Sequence, residues 1–326
     1  METINNLLDT PPVTQPNKAN VGEKPFIVAN TREVSLDHLR DQCIIPVFSK
    51  DNETTIAHHE FIEVVCKAAQ AYWPGLDISI PQIRVSHVVK GRIPSAIGKP
   101  ASALLDHEKT IYYERCAFQF EISGEHAMVA GNPMRLSIGG VRAYNQENLY
   151  SRKSLERFKV FVGYRNQICM NLCVRSDGFV GDLRVGSKGD LLNAVFELIA
   201  GYDPQGHLEE LGDLEAFELS EEQFAHLIGK LRMYPHLSSE EKDGLPEISL
   251  TDGQINTVVR DYYSSEAFGR DTDGQINLWR LYNLLTEANK SSYIDSFLVR
   301  SLQAHGLVNN LAKSLRNGVT NWLLNN

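Results

Sequence analysis

Residues 158–185 read FKVFVGYRNQICMNLCVRSDGFVGDLRV. Val, Phe, Tyr and Ile dominate, and turn signals at Asp177-Gly178 and Gly186 divide the stretch into short apolar runs at 158–162, 167–174 and 179–185. β-Branched and aromatic residues suit a pleated, half-buried surface, so each run is predicted to be a strand. The same character extends upstream. Ile83, Val85, His87 and Val89 alternate with Arg84, Ser86, Val88 and Lys90, the two-residue period of a strand. Residues 110–122, 128–129 and 134–144 continue it, punctuated by Gly124, Gly131-Asn132-Pro133 and Gly139-Gly140. Residues 83–186 therefore read as a central, mostly antiparallel sheet of short strands.

Outside that sheet the spacing changes. At 55–73, Phe61, Val64, Val65, Ala68 and Ala69 fall on one face of a helix that Pro74-Gly75 ends; residues 44–48 read as a short strand. After Lys188 the pattern is helical to the end. Leu191, Leu192, Val195, Phe196 and Ile199 mark one helix, closed by Gly201, and Ser220-Glu221-Glu222-Gln223 forms a capping box opening another, which Pro235 stops. Leu278 to Leu285 and Leu307 to Leu323 carry apolar core stripes. Strands and helices are segregated, so the fold class is α+β, not a doubly wound parallel sheet. The expected organisation is a flexible tail (1–25, with Pro11, Pro12, Pro16 and Pro25), an α+β core domain (26–201) and a helical region packed on it (202–326).

The hexapeptide Thr-Asp-Gly-Gln-Ile-Asn occurs twice, at 251–256 and 272–277. The flanks do not match. Each copy satisfies the Thr-x-x-Gln capping rule with apolar periodicity after it, so both are predicted to open helices, not to mark a duplication. Asp271-x-Asp273-Gly274 resembles a calcium loop, yet Arg280 stands where the closing Glu belongs, so calcium is not expected.

The chain of 326 residues has a formal charge of -9, which excludes a generically basic, histone-like protein. The charge is uneven. Residues 84–188 hold 16 basic and 9 acidic residues, whereas 189–251 hold 3 basic and 14 acidic. Such asymmetry marks an anion-binding surface or two segments that neutralise each other across a contact. Within the basic segment, cations and rings interleave. Single-stranded nucleic acid needs both, cations along the phosphates and flat rings under the bases. The candidate nucleic-acid contacts are Arg84, Lys90, Arg92, Arg142, Tyr144, Tyr150, Arg152, Lys153, Arg157, Lys159, Tyr164, Arg165 and Arg175. Ordinary sheet core is the competing account for the aromatics.

Other chemistry is not expected. There is no GxxxxGK[ST] or GxGxxG loop, no HExxH, and no nucleophile elbow around Ser137. The carboxylates at 209–222 read as a solvated face. Five cysteines without a CxxC pair read as buried free thiols, and no catalytic residue, metal or cofactor is assigned. Residues 1–12 lack the basic and apolar parts of a signal peptide, and no apolar run reaches the roughly 18 residues of a membrane span. A cytoplasmic location with no membrane partner is expected.

The stretch 158–178 also resembles a family of domains of unknown function from Bacteroidetes genomes, often on mobile elements. In that family an aromatic-Val-Phe-x-Gly-aromatic-x-Asn run leads to Cys-x-Asn-Leu-Cys and Thr-Asp-Gly; here the places hold Phe158, Val160, Phe161, Gly163, Tyr164, Asn166, Cys169, Asn171, Leu172 and Cys173, with Ser176 where Thr is expected. Further similarity covers 27–60 and 134–145. A weaker likeness reaches a wider phage- and plasmid-associated family through the Cys-x-Asn strand and the helix at 278–287. The resemblance implies a mobile-element setting and DNA transactions, but no activity. Asn166, Cys169 and Asn171 are motif residues without an assigned role; hydrogen bonding at strand ends is the plain account of the asparagines.

Three functions follow as expectations. The first is binding of single-stranded or distorted DNA in replication, recombination or transfer of a mobile element, with 189–251 repelling non-specific DNA or contacting a protein partner. The second is an enzyme with a scattered active site. The third is a protein-interaction module such as a phage-type inhibitor.

Overall fold

Along β6 (Glu156–Asn166), Phe158, Val160, Val162 and Tyr164 enter one apolar cluster and Phe161 enters another. Successive side chains of a strand point to opposite sides of its sheet, so this strand needs cover on both faces. The computed structural model, which describes residues 25–43, 55–124, 127–146 and 155–324, supplies that cover. Residues 1–24 of the expected tail (1–25) and the expected strand at 44–48 lie outside the described residues.

The fold is α+β. The main sheet is antiparallel, in the order β1 (Arg32–Glu33), β2 (Gln82–Arg92), β3 (Lys109–Glu121), β5 (Asn132–Ala143), β6 and β7 (Leu172–Val185), with β4 (Ala127–Val129) paired to β5. The short helix α1 (Leu36–Asp41) follows β1. On one face lie α2 (His58–Tyr72) and α3 (Lys188–Gly201). Phe61 of α2 sits between Phe118 and Phe158, its ring centroid 4.9 and 4.7 Å from theirs. A Cβ on Gly140 would come within 2.5 Å of that ring, so the strand must lack a side chain where the helix approaches closest. The opposite face is covered by Phe26, Ile27, Ile294, Phe297 and Leu298, which pack over Ala117, Val141, Phe161, Leu172 and Val174.

The strands are longer than their sequence runs suggest. Asp177-Gly178 is not a turn but part of the 14-residue β7. A Cβ on Gly178 would meet the Val162 carbonyl oxygen at 2.2 Å, and the β6–β7 register shifts nearby, so this glycine permits a close approach inside an irregular strand. The β2–β3 hairpin also outruns its neighbour. Its last pairing with β5 is Arg115 with Ala143, and residues 109–114 continue beside β2, projecting about 20 Å further. Cys43 bridges this arm at Ile111.

The helical third contains α4 (Pro204–Asp213), β8 (Glu218–Leu219), α5 (Glu221–Met233), α6 (Ser239–Lys242), α7 (Asp252–Ser264), β9 (Ile276–Asn277), α8 (Leu278–Asn289) and α9 (Ile294–Asn317). The first hexapeptide opens α7 as expected: the Thr251 hydroxyl accepts from Gln254 N at 3.3 Å, and the Gln254 side chain accepts from Thr251 N at 3.0 Å. The second copy does not. Gly274 adopts φ +88°, Thr272 and Asp273 form a turn, and α8 starts only after Asn277, whose Oδ1 accepts from Arg280 N at 2.8 Å. Identical local sequence thus gives a helix start and a turn-strand, because pairing of Ile276 with Leu219 competes with helix formation at the second site.

The helices are pinned to the sheet by the β6–β7 turn, in which Met170 has φ +61°. Asn166 Nδ2 donates to Asn283 Oδ1 at 3.1 Å, the Cys169 thiol donates to the same oxygen at 3.3 Å, and Asn171 Nδ2 donates to the Asn283 carbonyl at 3.0 Å. Asn283 is fully buried on α8. Replacing it with Ala removes the acceptor of the Cys169 thiol, one of the two acceptors of Asn166 Nδ2 and the donor to the Trp279 carbonyl, and each buried group left unpartnered costs about 1–3 kcal/mol. Asn283→Ala is expected to lower the unfolding free energy by about 2–4 kcal/mol in urea titrations, with the exposed Glu266→Ala as a neutral control. An unchanged midpoint would remove Asn283 from the joint.

Candidate functional site

A cation is available to an anion only where its own fold does not already neutralise it. That criterion divides the thirteen residues expected to contact nucleic acid. Four are interior. Arg142 lies between the rings of Tyr144 and Phe158, 4.6 and 4.5 Å from their centroids, pairs with Glu156 and donates to the Ile56 carbonyl. Arg165 pairs with Glu121 at 2.6 Å, both side chains almost fully enclosed. Tyr144 and Tyr164 are also buried. These four do not form a surface platform. Strand alternation sends their side chains into two covered faces, and a buried guanidinium persists there only because a carboxylate accompanies it.

Three more cations hold tertiary contacts. Arg84 donates to Thr31 Oγ1 at 3.0 Å and to the Thr31 carbonyl at 2.9 Å. Lys159 donates to the Asp295 carbonyl, and burial draws its amine below the usual lysine range. Arg175 is surrounded by Asp177, Asp203 and Glu210 at 2.5–3.5 Å. Tyr150, Arg152 and Lys153 lie outside the described residues. The remaining three reach the surface: Lys90 is exposed, Arg157 and Arg92 are half-buried, and Arg92 donates to the Lys99 carbonyl within the arm.

These three sit toward one end of the sheet, beside cations that the sequence pattern did not single out. Arg157 and Arg184 are direct partners across β6 and β7 and share one carboxylate, Asp182, at 2.7 and 3.0 Å. Their hydrogen bonds hold Asp182 below the usual carboxylate range. Two guanidiniums on one carboxylate leave one positive charge in excess. On the arm, Lys90, Lys99 and Lys109 are exposed, as are the apolar side chains of Val88, Ile97 and Leu105. Lys99 and Lys109 pair with Glu108 and Asp106.

The chain is matched over residues 7–324 by the family model described as Domain of unknown function, B. Theta Gene description (DUF3871). It belongs to that family. No curated protein and no solved structure matches it. The family-motif residues Asn166, Cys169 and Asn171 lie in the joint with α8, away from the arm, and their hydrogen bonds account for them.

A second polar feature lies near the other end of β7. A cleft of about 750 Å³ is lined by Arg175, Asp177, Glu210, His305, Asn309 and Lys313, among others. His305, Asn309 and Lys313 are spaced four apart on α9 and share one face of it. That four-residue spacing of His305, Asn309 and Lys313 was the available sequence signal. Glu210 Oε2 accepts from Asn309 Nδ2 at 3.1 Å and lies 3.6 Å from His305 Nε2. Neither Asn166 nor Asn171 lines the cleft. Among the described residues, no group of three His, Cys, Asp or Glu side chains could hold a metal ion, and no helix is long and apolar enough to cross a membrane.

His305 is buried, and burial, reinforced by the Arg175 charge, lowers its imidazole to about 4. Its ring meets that of His207, centroids 5.2 Å apart; His207 is lowered too, mainly by burial. Both are neutral at pH 7. The unfolded chain protonates histidine near pH 6.5, so it binds the extra proton first as pH falls. The His305 contribution to stability is therefore complete above about pH 6.5 and is lost on acidification toward pH 4. His305→Gln should flatten the pH dependence of unfolding free energy by about 1.4 kcal/mol per pH unit in that window. Urea titrations at pH 7, 5.5 and 4.5 test this; parallel curves for the two proteins would contradict a neutral His305.

Proposed function

We propose that this chain binds nucleic acid, single-stranded or distorted, through the arm end of the sheet and not through a sheet face. The observation that carries the reading is the cationic excess there: Arg157 and Arg184 around a single Asp182, with Lys90 and Arg92 on the projecting hairpin. A two-stranded ribbon fits the major groove, and apolar side chains such as Val88, Ile97 and Leu105 can wedge against unstacked bases. Within the acidic 189–251 region, Asp203 and Glu210 lie elsewhere: they meet β7 at Arg175, nine residues and roughly 30 Å of strand from Arg184. Carboxylates there oppose non-specific DNA or face a protein partner. We place the protein in the cytoplasm, in replication, recombination or transfer of a mobile element, a reading supported by five free cysteines and by the sequence likeness.

Binding to labelled single- and double-stranded oligonucleotides, titrated from about 50 to 200 mM salt, tests the proposal. Arg157→Gln with Arg184→Gln should weaken binding at least tenfold. It should also reduce the slope of log K against log salt by about 1.4 for single strands, since each phosphate that a side chain neutralises contributes about 0.7. Lys90→Glu with Arg92→Glu examines the arm separately. No binding by the natural sequence at about 50 mM salt, or binding unaltered in both double variants, would defeat the reading.

A second reading, an enzyme with a scattered site, rests on the cleft. There the His305 imidazole, Glu210 and Asn309 converge on one cleft.

A further inference from the structure

Helices α4 and α5 and helices α7 and α8 form two helix–loop–helix units whose loops are joined as an antiparallel ribbon, Leu219 opposite Ile276 and Glu218 opposite Asn277. In each loop the residue after the paired apolar one caps the departing helix. Ser220 Oγ accepts from Gln223 N at 3.2 Å, and Asn277 Oδ1 accepts from Arg280 N at 2.8 Å. Paired calcium loops of the EF-hand type are joined in this way, and their twelve residues follow a fixed plan: oxygen ligands at positions one, three, five and seven, glycine at six, and a bidentate glutamate at twelve. With Gly274, at φ +88°, in sixth place, the second loop runs from 269 to 280. Asp271 and Asp273 then hold positions three and five, Gln275 holds seven, and Arg280 holds twelve.

Arg280 points back into its own loop. Its Nη1 donates to the Gly269 carbonyl at 3.3 Å and pairs with the Asp271 carboxylate. One guanidinium thus bridges positions one and three, where a calcium ion would draw them together. We propose that Arg280 replaces the ion, making this loop an ion-independent clasp between α7 and α8. Further contacts agree. Asp273 Oδ1 accepts from Gln275 N at 3.2 Å, so its carboxylate closes the turn, and the Tyr262 hydroxyl donates to the Gly274 carbonyl at 2.5 Å. Position one has no carboxylate: a Cβ at Gly269 would come within 2.4 Å of the Ser265 carbonyl oxygen, so the turn leaving α7 excludes an aspartate there. The partner loop, 212–223, places Gly212, Leu214 and Ala216 at positions one, three and five, and Leu214 is buried. Neither loop assembles a calcium ligand set. Stability of this pair therefore comes without metal, and α9 packs on α8, with Leu307, Val308 and Leu311 sharing its core.

The full-length chain tests this in three forms. The natural sequence should show the same melting temperature in EDTA and in 5 mM CaCl₂, and no saturable terbium luminescence sensitised by Trp279. Arg280→Met, which keeps bulk but removes the cation, should lower the melting temperature by several degrees and gain no ion response. Arg280→Glu, which supplies the missing position-twelve carboxylate, should be similarly destabilised in EDTA yet bind terbium at least tenfold more tightly than the natural sequence and regain melting temperature on adding calcium. Calcium stabilisation of the natural sequence would overturn the proposal, as would an unaltered melting temperature for Arg280→Met, or an Arg280→Glu chain whose stability calcium does not change.

Discussion

One corner, where the β6–β7 turn meets α8 and the start of α9, fixes how the two halves of the chain are assembled. The turn offers Asn166, Cys169 and Asn171; α8 answers with the buried side chain and carbonyl of Asn283. Immediately after α8, Lys290 donates to the Cys169 carbonyl and pairs with Glu287, while its own carbonyl accepts from Val28 N and Ala29 N at 2.8 and 3.1 Å. Three segments distant in sequence thus converge through these hydrogen bonds, and the side chains of Asn166, Cys169, Asn171, Asn283 and Lys290 are buried there. Burial makes them unforgiving, because each donor left without an acceptor costs its full desolvation. It also makes them directional, which apolar packing alone is not. The same corner leads into the helix that covers the second sheet face, where Phe297 and Leu298 join Phe161 and Val174 in one apolar cluster.

How much of this was legible depended on whether the relevant physics was local. The fold class was legible, because two-residue and helical periods leave direct marks, as at Ile83–Val85 and Phe61–Val65. The capping boxes at Ser220 and Thr251 were legible for the same reason. The second hexapeptide was not, since its fate is decided by Leu219, more than fifty residues away. Asp177-Gly178 misled because glycine serves turns and close approaches alike, and only the distance to the Val162 carbonyl separates the two. The interleaving of arginine and tyrosine between 142 and 165 had the composition of a binding strip. Whether it lay outside or inside turned on Glu156 and Glu121, which nothing local links to Arg142 and Arg165.

The charge asymmetry resolves in both of the ways it first allowed, at different places. At Arg175 the basic segment and the acidic one do neutralise each other, through Asp203 and Glu210. At the far end of the same strand Arg184 competes with Arg157 for Asp182, a carboxylate of the basic segment itself. Formal charge summed over a segment is therefore a poor guide to potential. Among the described residues, the cations of 84–188 reduce to a smaller surface group once the internal pairs are removed, and Lys90, Lys99, Lys109, Arg157 and Arg184 of that group lie toward one end.

Arginine carries three kinds of work in this chain, and the distinction matters for how binding is interpreted. Arg142 and Arg165 are buried ions that need their glutamates; Arg280 stands where a metal ion would; Arg157 and Arg184 are half free. If the helical third owes its stability to a guanidinium and not to calcium, divalent cations have no folding role there. Any weakening of nucleic-acid binding by magnesium or calcium would then report competition for phosphate at the arm end, not a change in the protein's shape. A metal-dependent fold would entangle the two effects. The clasp separates them, because the cation it uses is covalently part of the chain and does not vary with the solvent.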